Sequence, residues 1–216
     1  MVWTPEQTAL FLRRARRHRL YALFHLIAFR GLRRGEACGL RWPDVDLKGG
    51  VVTVRWQLVQ LGSQTLEGRP KSEAGERHVI LDQATVRELQ AHKARQAAER
   101  LAAGEAWVES GLVFATETGG PLFPGWVTEQ FELLEMEAGL PPIRLHDLRH
   151  GAATNLLAAG HDMKVVQETL GLSSITIAAD TYTSVLPDLA RKAAEDAAAL
   201  IHAAASKPGR RPMSLI

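Results

Sequence analysis

Three residues in the third quarter of the chain have types and spacing suited to phosphoryl transfer. His146 and Arg149 are three apart, so on a helix they would project to one side and could hold one anion together. Tyr182 follows downstream, past Gly171 and the pair Ser173 and Ser174. A histidine can shuttle a proton, an arginine can fork onto phosphate oxygens, and a phenol can attack phosphorus, so the set requires no metal. Taken singly these residues say little: Arg149 alone reads as a surface cation and Tyr182 as a half-buried aromatic. His146 and His150 are four apart with Asp147 beside them, but no third ligand at metal spacing follows, and no metal is expected. There is no phosphate-binding loop and no HExxH run, so no cofactor is expected either.

The elements around these residues follow from the caps and breakers. Gly160 and Gly171 stop two helices, and Asp162 and Ser174 restart the chain as helix. Upstream, Thr4, Pro5 and Gln7 predict a helix start, with the helix running to about His18. The apolar stretch Tyr21 to Ala28 predicts a buried helix ending at Gly31. Gly35 to Leu40 predicts a short helix that places Arg33 at its entrance, where outward-pointing amides favour an anion. From Val51 to Leu61 the pattern turns to period two, and with His78 to Leu81 it predicts a three-stranded antiparallel sheet. Lys71 then lies by a hairpin turn, a place that suits a proton donor swinging into a groove and equally suits a solvated side chain. Asp82 caps a long helix lasting to Gly104, Leu112 to Phe114 is a short buried extended piece, and a helix from Trp126 to Ala138 ends at Gly139. Pro187 opens a last helix whose Leu189, Ala193, Ala197 and Leu200 form an apolar stripe in want of a partner surface.

Length and composition set the frame. At 216 residues and 46% hydrophobic content the chain is expected to bury one core. One cysteine, Cys38, allows no internal disulfide and reads as a small core residue in a reducing compartment. The longest early apolar run, Leu20 to Phe29, is too short to span a bilayer, so the expectation is a cytoplasmic protein with no membrane partner. Net charge is only +2, yet Arg13, Arg14, Arg16, Arg17, Arg19, Arg30, Arg33, Arg34 and Arg41 crowd together with Glu36 as the one nearby acid. Alone, such a run reads as a solvated helix face; beside the residues suited to phosphoryl transfer, that end is expected to face nucleic-acid phosphates.

The segment LPPIRLHDLRHGAATNLLAAGHDMKVVQETLGLSSITIAADTYTSVL resembles the catalytic core of the tyrosine recombinases, the phage-integrase family. GLRRGEACGLRWPDVD resembles that family's first arginine box, PKSEAGERHVIL its lysine-bearing hairpin, and the likeness runs in order from Trp3 to about Ala199. One position departs: LGLSS stands where LGHSS or LGWSS is usual, which puts Leu172 in place of a His or Trp. The resemblance implies a mainly α fold with a small three-stranded antiparallel sheet (α+β). It implies a catalytic domain over residues 1–206, a disordered tail over 207–216, and the absence of the N-terminal core-binding domain that usually precedes it.

The resemblance also assigns roles. Arg33 and Arg149 correspond to the two catalytic arginines, His146 to the histidine that takes the tyrosine proton or orients the phosphate, Lys71 to the general acid, and Tyr182 to the nucleophile. Glu36 and His150 match positions that hold the arginine and the helix in place. Arg34, Arg41, Arg69 and Arg77 are the candidate DNA contacts. The implied partner is double-stranded DNA, bound by a homotetramer joined through the C-terminal helix, with a monomer when free. The alternative is a non-catalytic DNA-binding domain using residues 162–181 as a helix-turn-helix; relaxation of supercoils by the related type IB topoisomerase chemistry also stays open.

Overall fold

A computed structural model of the chain describes residues 2–62, 64–69, 75–172 and 174, together with the separate positions 191, 194, 195, 198, 199, 201 and 202. Helix α1 (Pro5–Ala15) opens as its sequence predicts. The Thr4 hydroxyl accepts from the Gln7 amide, and the Gln7 side chain accepts from the Thr4 amide at 2.9 Å, so two otherwise orphaned donors are satisfied. Helix α2 (Tyr21–Arg30) is apolar all round and is therefore buried on every side from Tyr21 to Ala28. It is the post against which α1, the long helix α4 (Gln83–Ala103) and α6 (Leu145–Ala158) pack. Aromatic rings fill the junction with α5 (Pro124–Glu137): Phe11 lies 5.0 Å from Phe131 and 5.3 Å from Trp3, measured between ring centroids. Cys38 is buried in this core, and burial pushes its thiol up to about 12, which makes it inert at neutral pH.

The sheet departs from the pattern read in the sequence. The period-two run from Val51 to Leu61 is not one strand but two, β2 (Val51–Val54) and β3 (Gln57–Leu61). Strand β2 sits between β1 (Val45–Asp46) and β5 (Arg77–Ile80) in the expected three-stranded antiparallel sheet. Strand β3 leaves it and pairs with β4 (Gln64–Gly68) as a separate hairpin. The two residues between them are held by side-chain contacts instead of a ladder. Arg55 pairs with Asp44 at 2.8 Å, and Trp56 lies under the guanidiniums of Arg41 and Arg69, at 5.4 and 5.7 Å. Helix α3 (Arg34–Cys38) also draws β3 close, since a Cβ at Gly35 would meet the Leu58 carbonyl at 2.7 Å.

Beyond the main core, α6 and α7 (Met163–Leu170) enclose a small separate cluster of Ala153, Leu157, Val166 and Leu170, with Leu172 packed on it. Asp162 caps α7 by accepting from the Val165 amide at 2.9 Å, and Gly171 ends it with φ 65°. Gly31 joins this cluster to α2: it adopts φ 65°, and a Cβ there would lie 2.2 Å from the Leu170 side chain. No other residue satisfies both the turn and the approach of α7. The helix expected from Ser174 and the tail 207–216 lie outside the described residues; of the helix that Pro187 is expected to open, the described positions 191, 194, 195, 198, 199, 201 and 202 are helical. No helix among the described residues is long and apolar enough to cross a membrane.

Candidate active site

Two short sequence patterns build the walls of one cleft. Arg33 precedes α3 and Arg144 precedes α6, and each is followed three residues on by an acid that folds back onto it. Glu36 accepts from the Arg33 amide at 2.8 Å and from its guanidinium at 2.6 Å. Asp147 does the same for Arg144, at 3.0 Å from the amide and 2.8 Å from Nη2. The carboxylates occupy the first turns, where helix amides favour negative charge. The arginines are left pointing outward, and with Arg34, Thr128 and His146 they line an open cleft of about 370 Å³. Arg144 was not among the residues singled out from the sequence. The signal that could have found it is the repeat of an arginine three positions before an acid at a helix start, RRGE and RLHD.

Behind the cleft, Glu36 is 1% exposed and serves two guanidiniums. Arg77 grips it bidentately, Nη1 to Oε1 at 3.1 Å and Nη2 to Oε2 at 3.0 Å, while Arg33 approaches from the cleft side. Burial alone would push the Glu36 carboxyl up; the bonds and charge of Arg77 and then the charge of Arg33 outweigh it and hold the carboxyl below its usual range. The place expected for Glu36, holding the arginine, is where it sits. Arg77, expected to contact DNA, is instead buried: its side chain is 6% exposed, facing inward with Val79 on the covered face of β5. A strand with period two buries every second residue, and Arg77 falls on the buried register.

Helix α6 carries His146, Arg149 and His150, of which His146 lines the cleft and Arg149 is buried. Arg149 is 3% exposed and donates to the carbonyls of Gly31 and, at 2.7 Å, of Leu170. It is therefore not a surface cation. His146 stands at the cleft with its ring 4.9 Å from that of His150 in an edge-on arrangement. Partial removal from water, then the positive neighbours His150 and Arg149, push the His146 imidazole down to about 4. It is therefore neutral at pH 7 and able to accept a proton. Leu172 is half-buried against the α6–α7 cluster; its amide donates to the Gln167 carbonyl at 3.0 Å, and its own carbonyl accepts from the Gln167 side chain. Lys71 and Tyr182 lie outside the described residues. Among the described residues there is no cluster of histidine, cysteine and carboxylate side chains that could hold a metal.

The remaining candidate contacts divide. Arg34 donates to the Thr128 hydroxyl at 2.6 Å inside the cleft. Arg41 pairs with Glu67 and, with Arg69, flanks the Trp56 ring. The arginine-rich start of the chain is corrected more fully. Arg14 pairs with Glu137 at 2.7 Å, Arg16 with Glu88 at 2.9 Å, Arg19 with Glu99 at 2.8 Å, and Arg30 with Asp82. The acids come from α4, its cap and α5, so a run with one nearby acid in sequence meets several in space.

Helices around a buried post and a small sheet define a mainly α class of fold, and a cleft of arginines with a histidine opens on it. A family model described as the phage integrase family matches residues 3–188, and the chain belongs to that family. It is 35% identical over 190 residues to a tyrosine recombinase XerC-like protein of Caldanaerobacter subterraneus subsp. tengcongensis, covering 82% of this chain and 49% of that one. It is 26% identical over 201 residues to the ICEBs1 integrase of Bacillus subtilis (strain 168), covering 89% and 53%. The chain thus spans about half the length of these two relatives. Among solved structures, the Tn1549 transposon integrase in complex with transposon right end DNA shares the fold, with a TM-score of 0.77 at 23% identity, over 92% of this chain and 66% of that chain. The XerH site-specific recombinase bound to palindromic difH substrate gives 0.65 at 25% identity, over 89% and 52%.

Proposed function

We propose that this chain is the cutting and rejoining part of a site-specific DNA recombinase that works through a 3′-phosphotyrosyl intermediate. The observation that carries the reading is the cleft itself, where Arg33, Arg34, Arg144 and His146 converge with Glu36 as brace. Phosphoryl transfer asks for donors fixed in advance around the developing charge of the phosphate. Arg33, with its side chain 36% exposed and anchored through Glu36, offers guanidinium N–H groups to the non-bridging oxygens. Arg149, held by the Gly31 and Leu170 carbonyls, takes the place of the second arginine of the site. Tyr182 attacks phosphorus, its phenolic proton passes to His146, and the bond to the 5′ oxygen breaks as Lys71 supplies a proton to that oxygen. The phosphodiester energy is kept in the tyrosyl link, and attack by a new 5′ hydroxyl reverses the step, so no ATP and no metal is consumed. The proposed partner is double-stranded DNA, engaged by a homotetramer joined through the helix that Pro187 opens; free in solution the chain is a monomer. The proposed compartment is the cytoplasm.

The test is a pool of nicked suicide duplexes of randomised sequence, incubated with the chain and resolved in SDS. A protein–DNA adduct that is enriched for one sequence is the expected result. Salt-sensitive duplex binding with no adduct from any member of the pool would overturn the enzymatic reading in favour of a non-catalytic DNA-binding domain.

A further inference from the structure

We propose that Arg77 is a positioning residue for strand cleavage, one that ties the brace behind Arg33 to the end of α7; this rests on the function proposed above. The three last-turn carbonyls of α7 and its cap each receive a guanidinium N–H from a different arginine. Arg77 Nε donates to Thr169 at 2.9 Å, Arg149 Nη2 to Leu170 at 2.7 Å, and Arg33 Nη2 to Gly171 at 3.2 Å. Carbonyls at a helix end have no partner within the helix and form the negative pole of its dipole, so cations are favoured there. A helix of eight residues is too short to hold its shape alone. Its place is therefore set by these bonds and by the small apolar cluster beneath it.

Arg77 differs from the other two in what else it holds. It is buried, so it does not touch a phosphate, yet it fixes both oxygens of Glu36 and also donates to the Gly75 carbonyl at 3.1 Å. Glu36 in turn orients Arg33. One planar guanidinium thus sets two things at once: the direction of the arginine that meets the phosphate, and the point from which the chain continues through Leu172 toward Tyr182, ten residues on. Lysine is a single point donor and cannot span the Glu36 carboxylate and the Thr169 carbonyl together. Misplacing reacting groups by about 1 Å can cost on the order of a hundredfold in rate.

The variants are Arg77→Lys, which keeps the charge, and Arg77→Met, which removes it. On the best-cleaved duplex of the pool, Arg77→Lys is expected to slow adduct formation at saturating DNA by about ten- to a hundredfold, with the half-saturating DNA concentration changed by less than about twofold. Hydrogen exchange at residues 163–172 should quicken by about tenfold while α2 is unchanged, a local loosening. Wild-type exchange at 163–172 in both variants overturns the proposal and leaves the proposed function standing. A loss of DNA affinity matching the loss of rate overturns it too, because Arg77 would then be a DNA contact, and quickened exchange throughout α2 in both variants would reduce Arg77 to a structural pair. A wild-type chain that forms no adduct overturns the proposed function and with it the catalytic half of this proposal, while the exchange result still decides the brace.

Discussion

The arginines of the first thirty residues and those around the cleft are treated in opposite ways. At the start of the chain each paired guanidinium has a carboxylate of its own: Arg14 with Glu137, Arg16 with Glu88, Arg19 with Glu99 and Arg30 with Asp82. Around the cleft, Arg33 and Arg77 share the single carboxylate of Glu36, and further donors of Arg33, Arg77 and Arg149 go to backbone carbonyls. Carbonyls satisfy hydrogen bonds without cancelling charge. In the first region the charge of Arg14, Arg16, Arg19 and Arg30 is offset in place, and the exposed pairs of Arg14 and Arg16 are worth about 0–1 kcal/mol each. The second keeps a positive surplus where a phosphate would arrive. Density of arginine in a sequence is therefore a poor guide to where the field lies; what each guanidinium is paired with decides it.

Single substitutions can break this comparison outright. Arg33→Ala should lower the rate of adduct formation by about a hundredfold to a thousandfold, the usual cost of one preorganised donor, whereas Arg14→Ala should leave it unchanged. Equal losses in the two variants, read as single-turnover rates on one duplex, would end the distinction. A gain tests the same surplus from the other side. Leu172→His would add a donor at the end of α7, and an increase in adduct rate of up to about a hundredfold is expected. If Leu172→His folds normally and cleaves no faster, Leu172 serves only to complete the α6–α7 cluster on which it packs.

Protonation sharpens the contrast further. His146 in the free chain should titrate at about 4, chiefly through its partial removal from water, and duplex binding should raise that value because the phosphates offset the positive charge nearby, that of Arg149 included. A ring signal titrating at the ordinary 6.5 by NMR would contradict the removal of this ring from water at the cleft, and a value unmoved by duplex would contradict the positive surplus. Buried His92 is likewise held near about 4, chiefly by burial. Between 6.5 and 4 the unfolded chain binds protons that the native one refuses, so stability should fall as pH drops through that window and stay level above it. The smallest effect concerns salt. Arg34→Ala or Arg144→Ala should each reduce the slope of log affinity against log salt by about 1, while Arg14→Ala should not move it.

Much of the fold was legible because local signals carried it: the Thr4–Gln7 start, the all-apolar α2 with its Gly31 end, the Asp82 cap and the stops at Gly160 and Gly171. The split of the strand at Arg55 and Trp56 was not, since alternation runs through both residues and the break is made by Asp44, Arg41 and Arg69 from elsewhere in the chain. Of the site, Arg33 and Glu36 were found together because they are neighbours on one turn. The inward course of Arg77 depends on Glu36, 41 positions away, though its place in register with buried Val79 was a readable hint. The pairing of the early arginines was invisible for the same reason, with partners 52 to 123 positions distant. Arg149 taken alone read as a surface cation, and its burial was not readable because the carbonyls it meets, at Gly31 and Leu170, are 118 and 21 positions away.

The most direct measurement is the identity of the residue that carries the DNA. The trapped adduct is digested with protease and nuclease, and the modified peptide is read by mass spectrometry. A nucleotide attached through its 3′ phosphate to Tyr182, absent in Tyr182→Phe while duplex affinity is retained, is the result this account predicts. An adduct on any other residue, or one that persists in Tyr182→Phe, would contradict it.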